Sequence, residues 1–91
     1  MIANVYSVKD ELTNKFMQPF FVETEKEALR IFTHNVNGIA LWKSNASDYS
    51  LYQVGMFNDQ DGSMVRAYFD EDGNCREGMK KIISGSAVRK E

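Results

Sequence analysis

Cysteine, proline, histidine and tryptophan each occur once in this 91-residue chain. Cys75 alone cannot form an internal disulfide, which suits a reducing compartment. His34 has no companion at metal-ligand spacing. No motif places a His or Asp beside Cys75, so a nucleophile reading lacks its activating base. There is no Walker loop and no dinucleotide-binding fingerprint. The expectation is a non-enzymatic protein with no metal and no cofactor. No apolar run approaches transmembrane length, and the first residues lack the basic and apolar regions of a signal peptide. A soluble, intracellular protein is expected. Bulk positive charge is also missing, at net −2 and pI about 5.4. That argues against nucleic-acid binding by overall charge but leaves room for a local basic strip.

What is present is an ordinary globular composition, 43% hydrophobic and 26% charged. The length implies one domain, residues 1–83, with 84–91 as a flexible C-terminal tail. A core of this size is marginal and oligomerisation is a common remedy, so a homodimer or larger homo-oligomer is expected.

Ile2–Val8 is β-rich and predicts a strand. Lys9–Gln18 reads as a loop that sets Leu12, Phe16 and Met17 onto the body. Phe20–Val22 follows Pro19 as a short extended piece. Thr24 and Glu27 form a capping box, and a helix is predicted over about 24–37 with Gly38 as its left-handed stop. Leu29, Phe32 and Val36 make its apolar stripe, widened by Ala28 and Ile31. Leu41 and Trp42 sit in a connection and are expected to be at least half-buried. Residues 76–83 read equally as a strand or a helical turn.

A hairpin, about 50–57 and 63–69, is the strongest signal. Asp59-Gln60-Asp61-Gly62 has the chemistry of a type I turn closed by a left-handed Gly. It sets Asn58 opposite Ser63, Met56 opposite Val65, Val54 opposite Ala67 and Tyr52 opposite Phe69. Alternation then gives a core face of Tyr52, Val54, Met56, Val65, Ala67 and Phe69, which the helix should cover. The other face carries Gln53, Gly55, Phe57, Met64, Arg66 and Tyr68. The order of elements predicts an α+β fold, a small antiparallel sheet with a central hairpin and one covering helix.

The acidic turns at 59–62 and 70–73 do not fit a calcium loop. A loop with its glycine at position six would begin on Phe57 or Tyr68, neither of them a ligand.

Val5-Tyr6-Ser7-Val8-Lys9-Asp10, Gln18-Pro19-Phe20-Phe21-Val22, Glu27-Ala28-Leu29-Arg30-Ile31-Phe32 and Asp48-Tyr49-Ser50-Leu51-Tyr52-Gln53-Val54-Gly55-Met56-Phe57-Asn58-Asp59 with Gly62 occur in order. Together they resemble the small nonstructural protein of gokushoviruses, the single-stranded DNA phages of the microvirus type. The resemblance covers roughly the first two thirds of the chain. It implies a DNA-binding protein of genome replication in the host cytoplasm. It supplies no contact residues.

The residues themselves offer candidates for that role. Phe57, Arg66 and Tyr68 share one hairpin face and could stack on single-stranded bases, at ~1–3 kcal/mol per base. The plainer reading is that this face packs on the helix or on a partner subunit. Arg76–Glu91 holds five cations against two carboxylates, net +3, which leaves the first 75 residues at −5. Lys80 and Lys81 within that stretch are candidate phosphate contacts. The competing function is a protein-interaction factor acting on phage or host proteins through an aromatic patch, which the acidic pI favours.

Overall fold

Two long antiparallel strands, β1 (Ile2–Asp10) and β4 (Tyr49–Asn58), form the centre of the sheet in a computed structural model that describes residues 2–91. Each is flanked on its far side by two short strands in succession. Along β1 these are β2 (Lys15–Phe16) and β3 (Phe20–Val22); along β4 they are β5 (Met64–Val65) and β8 (Lys80–Ser84). A separate two-stranded sheet, β6 (Ala67–Phe69) with β7 (Cys75–Glu77), loops out between β5 and β8. The expected α+β class with an antiparallel sheet and a covering helix is what the chain forms.

Helix α1 (Glu25–Gly38) begins where the capping box requires: the Glu27 amide donates to Thr24 Oγ1 at 3.2 Å. Ala28, Phe32 and Val36 are completely buried, at i, i+4 and i+8, and Leu29 packs beside them. Ile31 does not widen the stripe; it stays 39% exposed. Gly38 is no left-handed stop. It is the last helical residue, and the extended Ile39 both ends α1 and starts a second short helix, α2 (Ala40–Ser44). There Leu41 points to water, while the half-buried Trp42 stacks on Tyr49 at 4.8 Å. A 3₁₀ turn, Ala46–Asp48, leads into β4.

Residues 9–18 are a hairpin rather than a loop. The Asp10 carboxylate accepts from the Leu12 and Thr13 amides, Asn14 takes φ 61°, and the chain returns with Lys9 opposite Phe16. Leu12 is left 78% exposed. Asp and Asn tolerate these turn conformations because their short side chains bond the local backbone.

The central hairpin starts as expected. Gly62 has φ 73°, Asn58 and Ser63 are hydrogen-bonded, and Met56 lies opposite Val65. It then departs from expectation twice. First, the chain leaves β4 at Arg66, so Val54 does not pair with Ala67 nor Tyr52 with Phe69. β8 takes the vacated edge, with Leu51 opposite Ile83 and Tyr52 opposite Lys81. Residues 80–84 are therefore strand, which decides between the two readings of that stretch. Second, β4 contains a bulge: Val5 pairs with Gly55 and Tyr6 with Gln53, leaving Val54 as the extra residue. A bulge reverses the side-chain alternation beyond it. Tyr52, Val54 and Met56 therefore share no face, and Val65 and Phe69 remain 55% and 43% exposed.

The face that α1 covers carries Tyr6, Val8, Tyr49 and Leu51 instead, packed with Ala28, Phe32, Val36 and Ala46. Phe20 and Val22 of β3, Ile83 of β8 and Val88 of a last short helix, α3 (Gly85–Val88), close the rim. Residues 84–91 thus include a helical turn, and Asn37 of α1 holds the backbone beyond it. Its Nδ2 donates to the Val88 carbonyl at 3.0 Å, and its Oδ1 accepts from the Lys90 amide at 2.6 Å.

Candidate nucleic-acid interface

Alternation along β1 puts Ala3, Val5, Ser7 and Lys9 on the sheet face opposite α1. Cross-strand partners share a face, which adds Phe21, Tyr52, Gly55, Phe57 and Phe16, then Met64 and Lys81 through the outer strands. Phe32 of α1, Trp42 of α2 and Val88 of α3 all pack into the other side, so among the described residues no helix covers this open face.

Its aromatic rings are paired. Phe16 meets Tyr52 edge-on at 5.3 Å, and Phe21 meets Phe57 edge-on at 5.5 Å. Phe16 and Phe21 are still 40% and 47% exposed. Lys9 Nζ lies 5.6 Å from the Phe16 centroid and 5.8 Å from that of Tyr52, within the range of cation–π attraction. Between the two pairs runs an apolar groove of about 480 Å³, lined in part by Val5, Met17, Met64 and Met79, with Arg66 among its walls. Gly55 is required there: a Cβ on it would come within 2.6 Å of the Val65 carbonyl oxygen. Only a glycine lets β5 close on β4 at that point.

One carboxylate controls the charge of the face. Glu11 binds Lys9 at 3.2 Å and Lys81 at 3.6 Å, and Tyr52 donates its hydroxyl to it at 3.4 Å. Partial burial pushes the Glu11 carboxyl up, but the hydrogen bond and charge of Lys9 and the charge of Lys81 outweigh it and hold the group below its ordinary value. Glu11 is therefore ionised at neutral pH and occupies the cations.

The five expected contact residues do not converge on one spot. Phe57 and Lys81 lie on the open face, and Arg66 lines its groove. Tyr68 is half-buried in the β6–β7 sheet, opposite Arg76. Lys80 is half-buried opposite Gln53, on the helix side. Gln53 itself is buried, and its Oε1 accepts from the Phe69 amide at 3.2 Å, tying the small sheet to β4. The turn of that small sheet is built on Asp70, which accepts from the Asp72 and Asn74 amides and from Arg76 Nε. Arg76 is thus committed locally.

Phe16, Phe21, Tyr52 and Lys9 join the face through strand pairings that no local motif announces. Parity held a signal for one of them: in Phe20-Phe21-Val22 the middle residue must face away from its neighbours. Among the described residues no group of His, Cys, Asp and Glu is arranged to hold a metal ion, and no helix is long and apolar enough to cross a membrane. A family model described as Phage ORF5 protein matches residues 3–71. No curated protein and no solved structure matches the chain.

Proposed function

Because the chain belongs to the Phage ORF5 protein family, we propose that it is a non-enzymatic phage protein that binds single-stranded DNA on the open sheet face, in genome replication within the host cytoplasm. The observation that carries this reading is the uncovered pair Phe16–Tyr52 with Lys9 over both rings. Single-stranded bases are held by such rings, largely without sequence preference, and phosphates by nearby cations. Phe21 and Phe57 extend the platform, and Arg66 and Lys81 add charge along it. The gokushovirus-like phrases of the sequence point to the same ligand. Tyr68 and Lys80 are displaced from this face and become peripheral contacts. On this face Glu11 holds two of the cations, so the face adds little to the salt dependence and its affinity per subunit is modest. Self-association into a homodimer or larger oligomer then supplies occupancy by avidity.

The test is a titration of labelled oligo-dT by fluorescence anisotropy across salt concentrations. Phe57→Ala should weaken binding with the salt slope unchanged, whereas Lys81→Ala should flatten the slope. Absence of any binding at low salt would overturn the reading.

One feature favours a protein partner instead: the groove is lined by methionines and valines on an acidic chain. Methionine-rich surfaces adapt to apolar partner segments. Capture of a stable protein partner from nuclease-treated host lysate, with no shift of single-stranded DNA, would favour this second reading.

A further inference from the structure

The outer surface of α1 carries Lys26, Arg30 and His34 at i, i+4 and i+8, about 6 Å apart along the axis. Each is two residues before a buried position of the apolar stripe, so the row lies on the far side of the helix from the core. These three side chains line a groove of about 590 Å³ together with Thr33, Asn37 and Lys90.

Lys90 is 53 residues away from Asn37 in sequence, and the Asn37 amide brings it there. That amide is fully engaged: Nδ2 donates to the Thr33 and Val88 carbonyls and Oδ1 accepts from the Lys90 amide. The last residues are thereby fixed along the helix, and a fourth basic side chain closes the row.

Among the described residues no carboxylate lines this groove. Glu27 is turned back onto Thr24, and Glu91 lies with Arg89 in a separate hollow. The arrangement contrasts with the open face, where Glu11 neutralises two lysines. On a chain of net −2, a straight groove with three permanent cations and no acid is a local path for a linear polyanion.

We infer that this groove is a second DNA contact, a phosphate-tracking strip on the opposite side of the molecule from the aromatic platform. The inference rests on the reading of the protein as a DNA binder and adds a distinct site to it. The strip reads backbone charge alone, since no exposed aromatic ring lines it. The platform needs bases. The two surfaces lie on opposite sides of the sheet–helix sandwich, so one subunit can engage two separate stretches of strand.

An abasic deoxyribose-phosphate oligomer separates the two sites. It offers phosphates without bases and is compared with oligo-dT of the same length by fluorescence anisotropy. The expected result is that the protein binds both, and that Lys26→Ala/Arg30→Ala/Lys90→Ala abolishes binding of the abasic oligomer. On oligo-dT the same variant should flatten the log–log salt slope by about 2, from three lost phosphate contacts at ~0.7 each. A charge-preserving Lys26→Arg/Arg30→Lys variant should keep both properties, and Phe16→Ala should leave abasic binding unchanged. Thermal unfolding of every variant checks that the fold persists. If the triple-alanine variant binds the abasic oligomer like the parent, or the parent does not bind it while binding oligo-dT, the strip is refuted and the platform stands. If the parent binds neither, both readings fall.

Discussion

The two faces of the sheet are drawn from alternate residues of the same two strands, yet they are different materials. On the helix side Tyr6, Val8, Tyr49 and Leu51 are each at most 5% exposed and meet Phe32 and Val36. One residue out of phase, Lys9 and Tyr52 meet Phe16 under the open sky of solvent, with Glu11 between the charges. The helix side is packed with apolar area. The open side holds aromatic rings that stay wet and two lysines paired with Glu11. What separates stability from recognition here is the period-two alternation of a strand, and the bulge at Val54 sets the phase on each half of β4.

That contrast can be broken most strongly from the helix side. Phe32→Ala removes a completely buried ring and should cost ~3–5 kcal/mol of stability, read by chemical denaturation, with DNA affinity per folded molecule unchanged. A loss of affinity at full folding would mean that the two faces are coupled.

Alkaline pH tests the same core without mutation. Burial, and next the charge of Glu25, push the Tyr6 phenol up to about 12. Its folded value exceeds the unfolded value near 10, so its contribution is complete below pH 10 and is lost between pH 10 and 12. The loss should be roughly 2–3 kcal/mol, and Tyr6→Phe should remove that part of the pH dependence. An unfolding midpoint that falls equally in both proteins would place the alkaline sensitivity elsewhere.

On the open face the effects should fall on binding. Phe16→Ala should weaken oligo-dT binding by ~1–2 kcal/mol, about 5- to 30-fold, while thermal stability moves by less than about 1.5 kcal/mol. Phe21→Ala should behave alike. A variant that unfolds without changing affinity would assign Phe16 to packing.

The smallest expected effect is a gain. Glu11→Gln frees Lys9 and Lys81 and should raise DNA affinity a few-fold while steepening the salt slope by about 1. In the parent protein the Glu11 carboxyl lies below its ordinary range, so the lysines it holds should be released only as acid protonates it. Stability contributed by its ion pairs is present above the ordinary carboxylate value and is lost over that same acid window. An affinity unchanged in Glu11→Gln would show that the lysines are not contacts.

Some of this was legible in the residues. Thr24 and Glu27 mark the helix start because an unsatisfied amide and its acceptor lie three residues apart. Asp59–Gly62 marks the turn because only glycine takes φ 73° without strain. Of the contact candidates, Phe57 follows from the alternation of its own hairpin. Alternation alone carries Tyr68 onto the same face, but the chain turns away from β4 at Arg66 and Tyr68 pairs in the small sheet instead. Phe16 reaches the open face only through the turn between Asp10 and Asn14, whose polar residues read equally as a loop.

The sequence by itself determined the α+β class, the position and inner stripe of α1, the register at the Gly62 turn and the acidic net charge. Each of these depends on residues within a few positions of one another, or on a simple sum. Only the tertiary structure decided which segment pairs with the edge of β4, where its bulge falls, and that Asn37 seats the chain end against α1. Those outcomes are competitions between distant segments for the same hydrogen-bonding groups. β5 and the following residues compete with β8 for one strand edge, and the winner depends on what each can bury and satisfy once the whole core has formed.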